Sequence, residues 1–217
     1  MGKRGPKPRG TVARIWSPKL AYAIGLITAD GCLSKDGRHI DLTSIDKVQI
    51  ELFQTCLGIK NIISIKKSGA GNPSFRTQFG DILFYNFLLD IGLTPAKSNT
   101  LSSLRIPKKY FLDFFRGYFD GDGSSCSYYD PQFKTSFRFY LSFTSGSKKY
   151  LEWLRAQLEE QLGVRGYFSY NRNTSYVQLK YSKGEASVIC KSMYYNKDVP
   201  CLERKRIKIF SALRVIK

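Results

Sequence analysis

The chain has 217 residues, 42% hydrophobic and 24% charged, enough to bury a core and inconsistent with wholesale disorder. Thirty-five Lys and Arg against 17 Asp and Glu leave a formal charge of +18, so the expected partner is a polyanion, nucleic acid before an anionic membrane. The most apolar stretch, Leu20 to Ala29, is ten residues, half of the roughly 20 needed to span a bilayer, and no secretory signal pattern opens the chain; an intracellular, DNA-associated protein is expected.

Five cysteines (Cys32, Cys56, Cys126, Cys190, Cys201) never fall closer than eleven residues, so neither a zinc pair nor a disulfide framework is legible. His39 is the only histidine, which removes chemistry that needs two or three imidazoles. No phosphate-binding P-loop occurs either.

The first 14 residues read as a basic arm: KRGPKPRG is rich in Gly and Pro, and residues 1 to 19 hold six basic residues and no acid. Such a segment suits a phosphate backbone or a minor groove, and equally a solvated tail. Ser17-Pro18 then caps a helical run that ends in Ala29-Asp30-Gly31. A Lys35-Asp36-Gly37 turn leads to a strand in which Ile40 and Leu42 alternate with His39, Asp41 and Thr43. A second helix follows to Leu57-Gly58, then a strand alternating Phe75, Thr77 and Phe79 with Arg76 and Gln78.

Beyond a short linker at 101–106 the same punctuation returns. Ile106-Pro107 opens a run ending in Gly121-Asp122-Gly123, which sets Gly25 on Gly117 and Asp30 on Asp122 at an offset of 92. Phe137, Phe139, Leu141 and Phe143 alternate with Arg138, Tyr140, Ser142 and Thr144; a helix ends at Leu162-Gly163; Val177, Leu179 and Tyr181 alternate with Gln178 and Lys180. Each copy reads helix, hairpin, helix, hairpin, helix, with one half over residues 15–100 and the other over 107–217. One face of each sheet is core, and the other is polar and basic.

Asp30 and Asp122 are expected at helix carboxyl ends, each before a Gly suited to a left-handed cap. A carboxylate there meets the negative end of the helix dipole, at a cost of a few tenths to about 1 kcal/mol. Ala21, Gly25 and Ala29 form a small-residue stripe, repeated by Gly117 and Gly121, which lets the two helices pack closely and brings both acids to one edge. A divalent cation would relieve their repulsion, and oxygen-only ligands favour magnesium. Asp-Gly is also ordinary turn chemistry, so the residues alone leave the simpler reading open.

Ala23-Ile-Gly-Leu-Ile-Thr-Ala-Asp-Gly31 and Phe115-Arg-Gly-Tyr-Phe-Asp-Gly-Asp-Gly123 resemble the paired motifs of the LAGLIDADG homing endonucleases, with Thr28 where the family name has its first Asp. The resemblance implies an α+β fold of two αββαββα repeats related by a pseudo-two-fold, motif helices at the interface, and two antiparallel sheets forming a saddle over double-stranded DNA. It implies a monomer that cuts both strands at a long asymmetric target and leaves 3′ overhangs. Asp30 and Asp122, with the backbone oxygens of Ala29 and Gly121, would hold Mg2+; Mn2+ would substitute, and Ca2+ would support binding without cleavage. Lys97 and Lys205 fit the family's basic residue near the end of each half, and Asp46 and Ser147 fit positions that order water.

Base reading would fall to Arg38, His39, Asp41, Arg76, Gln78, Arg138, Tyr140, Ser142, Gln178 and Lys180, with Lys66 and Lys67 on phosphates. The same side chains also suit a generic sheet surface. An RNA maturase, or a DNA-binding protein without activity, could keep the same fold and would bind nucleic acid without needing intact acids. A nuclease built on Asp198 and Glu203-Arg204-Lys205 would explain neither repeat, and a basic structural protein would not explain the paired Asp-Gly ends. Intein embedding is not expected, because terminal splicing residues are lacking.

Overall fold

The computed structural model describes residues 10–67, 73–170 and 175–216. Lys3, Arg4, Lys7 and Arg9 of the basic arm lie outside the described residues. The first half runs α1 (Pro18–Asp30), β1 (Gly31–Leu33), β2 (His39–Ser44), α2 (Lys47–Leu57), β3 (Ile63–Lys67), β4 (Pro73–Gly80) and α3 (Ile82–Asp90). After a 3-10 turn at Lys108–Tyr110, the second half runs α4 (Phe111–Asp122), β5 (Gly123–Tyr129), β6 (Phe137–Ser145), α5 (Lys148–Leu162), β7 (Tyr167–Tyr170), β8 (Val177–Ser182) and α6 (Lys183–Met193). A further helix, α7 (Glu203–Val215), follows.

Both sheets are antiparallel and share one strand order, β1-β2-β4-β3 and β5-β6-β8-β7. Register fixes the correspondence between them. Ser44 pairs with Phe75 and Ser145 with Val177, so Arg76 stands where Gln178 stands, and Gln78 where Lys180 stands. The αββαββα repeat with antiparallel sheets is therefore the observed architecture.

Local chemistry sets the helix ends. Ser17 accepts the Leu20 N–H at 3.1 Å with Pro18 at the first turn, the expected start of α1. The second motif helix begins four residues beyond Pro107, because Pro107 starts the 3-10 turn rather than α4 itself. Gly58 and Gly163 end α2 and α5 in the left-handed region, where a β-carbon would be strained.

The glycines after the motif acids depart from expectation. Gly31 (φ −83°) and Gly123 (φ −74°) are extended, not left-handed. Their requirement is space. A β-carbon on Gly31 would lie 2.6 Å from the Ile27 Cα, and one on Gly123 2.3 Å from the Phe119 ring, because each chain turns directly from helix into strand.

The centre of the molecule is the α1–α4 contact, and its closeness follows from the glycine stripe. A β-carbon on Gly25 would sit 2.1 Å from the Phe114 carbonyl oxygen, and one on Gly117 2.0 Å from that of Tyr22. The two backbones touch, and nothing larger than hydrogen fits between them. Both helices are buried almost throughout, and each sheet lays its apolar face on this pair.

Residues ahead of α1 are anchored as well. The N–H groups of Thr11 and Val12 donate to Asp81 Oδ2 at 2.6 and 2.9 Å, while Asp81 Oδ1 caps α3 through the Phe84 N–H. Asp81 is 1% exposed, so these bonds satisfy a buried carboxylate at the outer end of β4.

Candidate active site

Because α1 and α4 cross at Gly25 and Gly117, their carboxyl ends emerge side by side. A β-carbon on Gly121 would come within 2.3 Å of the Ala29 Cβ and 3.0 Å of Asp30 Oδ2, so the Asp30 carboxylate overlies the last turn of the opposite helix. Asp30 is half-buried; Asp122 keeps an exposed edge. A cavity of about 390 Å3 opens beside Asp122, lined by Thr28, Ala29, Lys97, Tyr118, Asp122 and Tyr176 among others.

The electrostatics reflect two acids forced together. Protein packed around the Asp122 carboxyl, and then the charge of Asp30, push its pKa up to about 6, against the pull of Lys97 and Lys205. Burial also raises Asp30, opposed by its hydrogen bond from Gln49 and by the two lysines. Among the described residues no three His, Cys, Asp or Glu side chains gather anywhere. The protein thus offers two carboxylates and nearby carbonyls. That donor set fits a hard cation that keeps water and takes phosphate oxygens, and it does not fit a closed zinc cage.

Lys97 and Lys205 are equivalent in space despite unequal spacing from their motifs. Lys97 Nζ donates to the Gly31 carbonyl, and Lys205 Nζ to that of Gly123 at 2.7 Å. Lys205 also donates to Phe119 at 2.7 Å and, more weakly, to Gly121 at 3.4 Å. Each ammonium therefore neutralises the carbonyl end of a motif helix, the unfavourable end for the neighbouring aspartate. Burial lowers both lysine pKa values, that of Lys205 to about 8, while Asp30 and Asp122 act to raise them.

Asp46 and Ser147 lie at the amino ends of α2 and α5, where each caps its helix. Their remaining bonds cross the pseudo-two-fold. Asp46 Oδ2 accepts from Arg204 Nε at 2.7 Å, next to Lys205, and the Ser147 hydroxyl donates to the Leu101 carbonyl, four residues beyond Lys97. The segment that carries each lysine is thereby clasped to the opposite half. Neither side chain contacts Asp30 or Asp122 in the hydrogen-bond network of the structure.

Two further residues, which sequence reasoning missed, bond to the motif helices or their acids. Gln49 donates from Nε2 to Asp30 Oδ2 at 2.7 Å and accepts the Ser44 hydroxyl at 3.0 Å. Its signal was present, since Asp46-Lys-Val-Gln49 has capping-box spacing that Ser147-Lys-Lys-Tyr150 lacks. Asp120, at the position that Thr28 fills in the first copy, is 1% exposed and accepts from the Tyr22 hydroxyl at 2.6 Å and the Leu202 N–H at 2.7 Å. It joins α4 to α1 and to the approach of α7. Burial pushes its pKa up to about 6.

The predicted reading residues share the sheet faces turned away from the helices. Cross-strand partners project to the same side, and the register pairs Asp41 with Gln78, Thr43 with Arg76, Ser142 with Lys180 and Thr144 with Gln178. Tyr140 stacks 6.4 Å from Tyr128 on the same face. Several are already partnered: Arg76 with Asp41 and Arg138 with Asp130, both at 3.0 Å, and His39 with Asp36. Lys66 and Lys67 are exposed on edge strand β3, and Arg38 lies in the β1–β2 turn against Gly80.

Residues 110–193 match the model of a LAGLIDADG-like domain. That segment of the second half is a LAGLIDADG-like domain. Its fold is that of the homing endonuclease I-WcaI bound to its DNA recognition sequence, with a TM-score of 0.62, 14% identity, and coverage of 89% of this chain and 88% of that one. Mesophilic variants of the homing endonuclease I-DmoI give a TM-score of 0.59 at 16% identity, over 89% and 97% of the two chains. Full-length DUF199/WhiA from Thermatoga maritima gives 0.58 at 15% identity; 94% of this chain matches, spanning 62% of that larger chain. No curated protein sequence matches it.

Proposed function

We propose that this protein is a site-specific double-strand DNA endonuclease that acts as a monomer with a divalent cation, Mg2+ by preference, and leaves 3′ overhangs at a long asymmetric target. The observation that carries the reading is the pair of acids. Two helices in backbone contact deliver Asp30 and Asp122 to one edge, between two sheets with polar outer faces, in a chain of charge +18. A fold kept only for binding has no use for two repelling, partly desolvated carboxylates at the saddle's centre.

In this reading Asp30 and Asp122, with the carbonyl oxygens of Ala29 and Gly121, would hold the cation. When bound, it would polarise the scissile phosphate and acidify the attacking water. Lys97 and Lys205 act through field rather than contact, since their ammonium groups are held on backbone carbonyls beside the acids. Asp46 and Ser147 hold the lysine-bearing segments across the two halves. The sheet faces then read an asymmetric sequence, because equivalent positions carry different chemistry: Arg76 against Gln178, Gln78 against Lys180.

The deciding experiment incubates the purified chain with a randomised duplex library and Mg2+, then sequences the cut ends. Staggered breaks at one family of sequences support the proposal. Tight, sequence-specific binding with no break in Mg2+ or Mn2+ would make this a binding protein of the same fold. Cleavage or splicing of RNA alone would favour a maturase.

A further inference from the structure

The two acids are supported unequally. In the first half a relay of side chains ends on the motif carboxylate: the Asp46 N–H donates to Ser44 Oγ at 3.1 Å, the Ser44 hydroxyl to Gln49 Oε1, and the Gln49 amide to Asp30 Oδ2. Gln49 is 3% exposed, so its amide is held in place rather than sampling solvent. The second half begins the same relay, with the Ser147 N–H donating to Ser145 Oγ at 3.1 Å. It then stops. Where α2 has Gln49, α5 has Tyr150, whose ring is fully buried at 5.1 Å from Tyr118 and whose hydroxyl has no hydrogen-bond partner in the structure. Asp122 receives no side-chain hydrogen bond from either tyrosine, although its charge reaches both phenols.

We propose that Gln49 is a positioning residue that fixes the Asp30 carboxylate for cation binding, and that the Tyr150 substitution at the equivalent place makes the two strands of the target break in sequence rather than together. The second clause rests on the nuclease reading above; the first does not. A carboxylate with one oxygen tied to a buried amide presents its other oxygen in one orientation, whereas Asp122 must be ordered when the cation arrives. Second-layer donors of this kind are worth about 10- to 100-fold in metal affinity or rate.

Two measurements test this. Terbium is titrated into the free protein and followed by tyrosine-sensitised luminescence, for the parent, Gln49→Met, Gln49→Leu, Tyr150→Phe, Asp30→Asn and the Asp30→Asn/Gln49→Met pair. Met keeps the length of Gln and Leu its approximate volume, so a folding defect in one leaves the other. Both should weaken terbium binding by about 10-fold or more. Tyr150→Phe should change it less than two-fold, and Gln49→Met should add nothing once Asp30 is Asn, an outcome a merely structural role would not give. Unchanged affinity in both Gln49 variants, additive effects in the pair, or no saturable terbium signal in the parent would overturn the positioning role.

The second measurement follows each labelled strand of a cleaved duplex separately. The parent should nick one strand several-fold faster than the other, and Gln49→Met should slow that strand selectively and shrink the ratio. Equal strand rates in the parent, or equal slowing of both strands, would overturn the ordered break. A parent that binds terbium through Gln49 and Asp30 yet breaks no duplex would refute the nuclease reading and leave the positioning role standing.

Discussion

Around Asp30 the first half places an amide, and around Asp122 the second half places two phenols. The same divergence runs through the cores. Both cores hold buried aromatics, Phe53, Phe79 and Phe84 in the first, but matched strand positions differ: Leu42, opposite Gly31, stands where Phe143, opposite Gly123, packs 5.2 Å from Phe115. Strand order, register and helix placement nonetheless coincide. Backbone geometry is fixed by features that both halves keep, the glycine contact, the period-2 strands and the capped helices. Packing behind that frame needs only the right volume, so it was free to drift. The difference teaches that a repeated frame does not repeat its chemistry, and each acid has to be understood from its own surroundings.

The largest test of the comparison removes the acids. Asp30→Asn and Asp122→Asn should each lower double-strand cleavage by roughly 10³-fold or more, while affinity for duplex in Ca2+ stays within several-fold of the parent. Quantitative cleavage and gel-shift titration check both parts; full activity in either variant would show that one half suffices. Next comes the feature that the halves share. Gly25→Ala and Gly117→Ala drive a methyl into a backbone carbonyl of the opposite helix, and each should cost about 3 kcal/mol or more in urea unfolding. A small loss in one variant alone would mean that the helices can part on that side.

A smaller effect separates Asp120 from Thr28, which stand at equivalent motif positions. Asp120 has a folded pKa of about 6 against an ordinary value of 3.8, so the folded state holds its proton more tightly than the unfolded chain does. Stability from this group is therefore present at low pH and is lost as pH rises from about 4 to about 6. Thr28, whose hydroxyl donates to Ile24 O, does not titrate. Thermal unfolding of the parent should fall over that window more steeply than that of Asp120→Asn, and coincident curves would remove Asp120 as the source.

The smallest effect concerns how each half holds its lysine. Lys205 rides on α7, but Lys97 follows Ala96, whose φ of 55° is left-handed for a residue with a β-carbon. Ala96→Gly trades about 1 kcal/mol of relieved strain against the similar backbone entropy of glycine, so stability should move by less than about 0.5 kcal/mol. Ala96→Val, with branching at the same φ, should cost about 1 kcal/mol or more. Chemical unfolding of the two variants decides whether the Lys97 loop is set by this residue.

Much of the frame was written in local sequence. Alternation along β2, β4, β6 and β8 set which residues face the core, Ser17-Pro18 and Gly58 marked helix ends, and the small-residue stripe of Ala21, Gly25 and Ala29, repeated by Gly117 and Gly121, announced two helices in contact. These signals depend on a residue and its neighbours within a turn or a strand. Other features depend on what arrives from far along the chain. Gly31 and Gly123 needed room, not a left-handed turn, because Ile27 and Phe119 crowd the helix-to-strand corner. Lys97 and Lys205, at unequal distances from their motifs, meet equivalent carbonyls. Asp46 and Ser147 were spent on bonds between the halves. Gln49 reached Asp30 across 19 positions in sequence, and Asp120 reached Leu202 across 82. A hydrogen bond between side chains is decided at the scale of an ångström, and only the packed tertiary structure sets distances that finely.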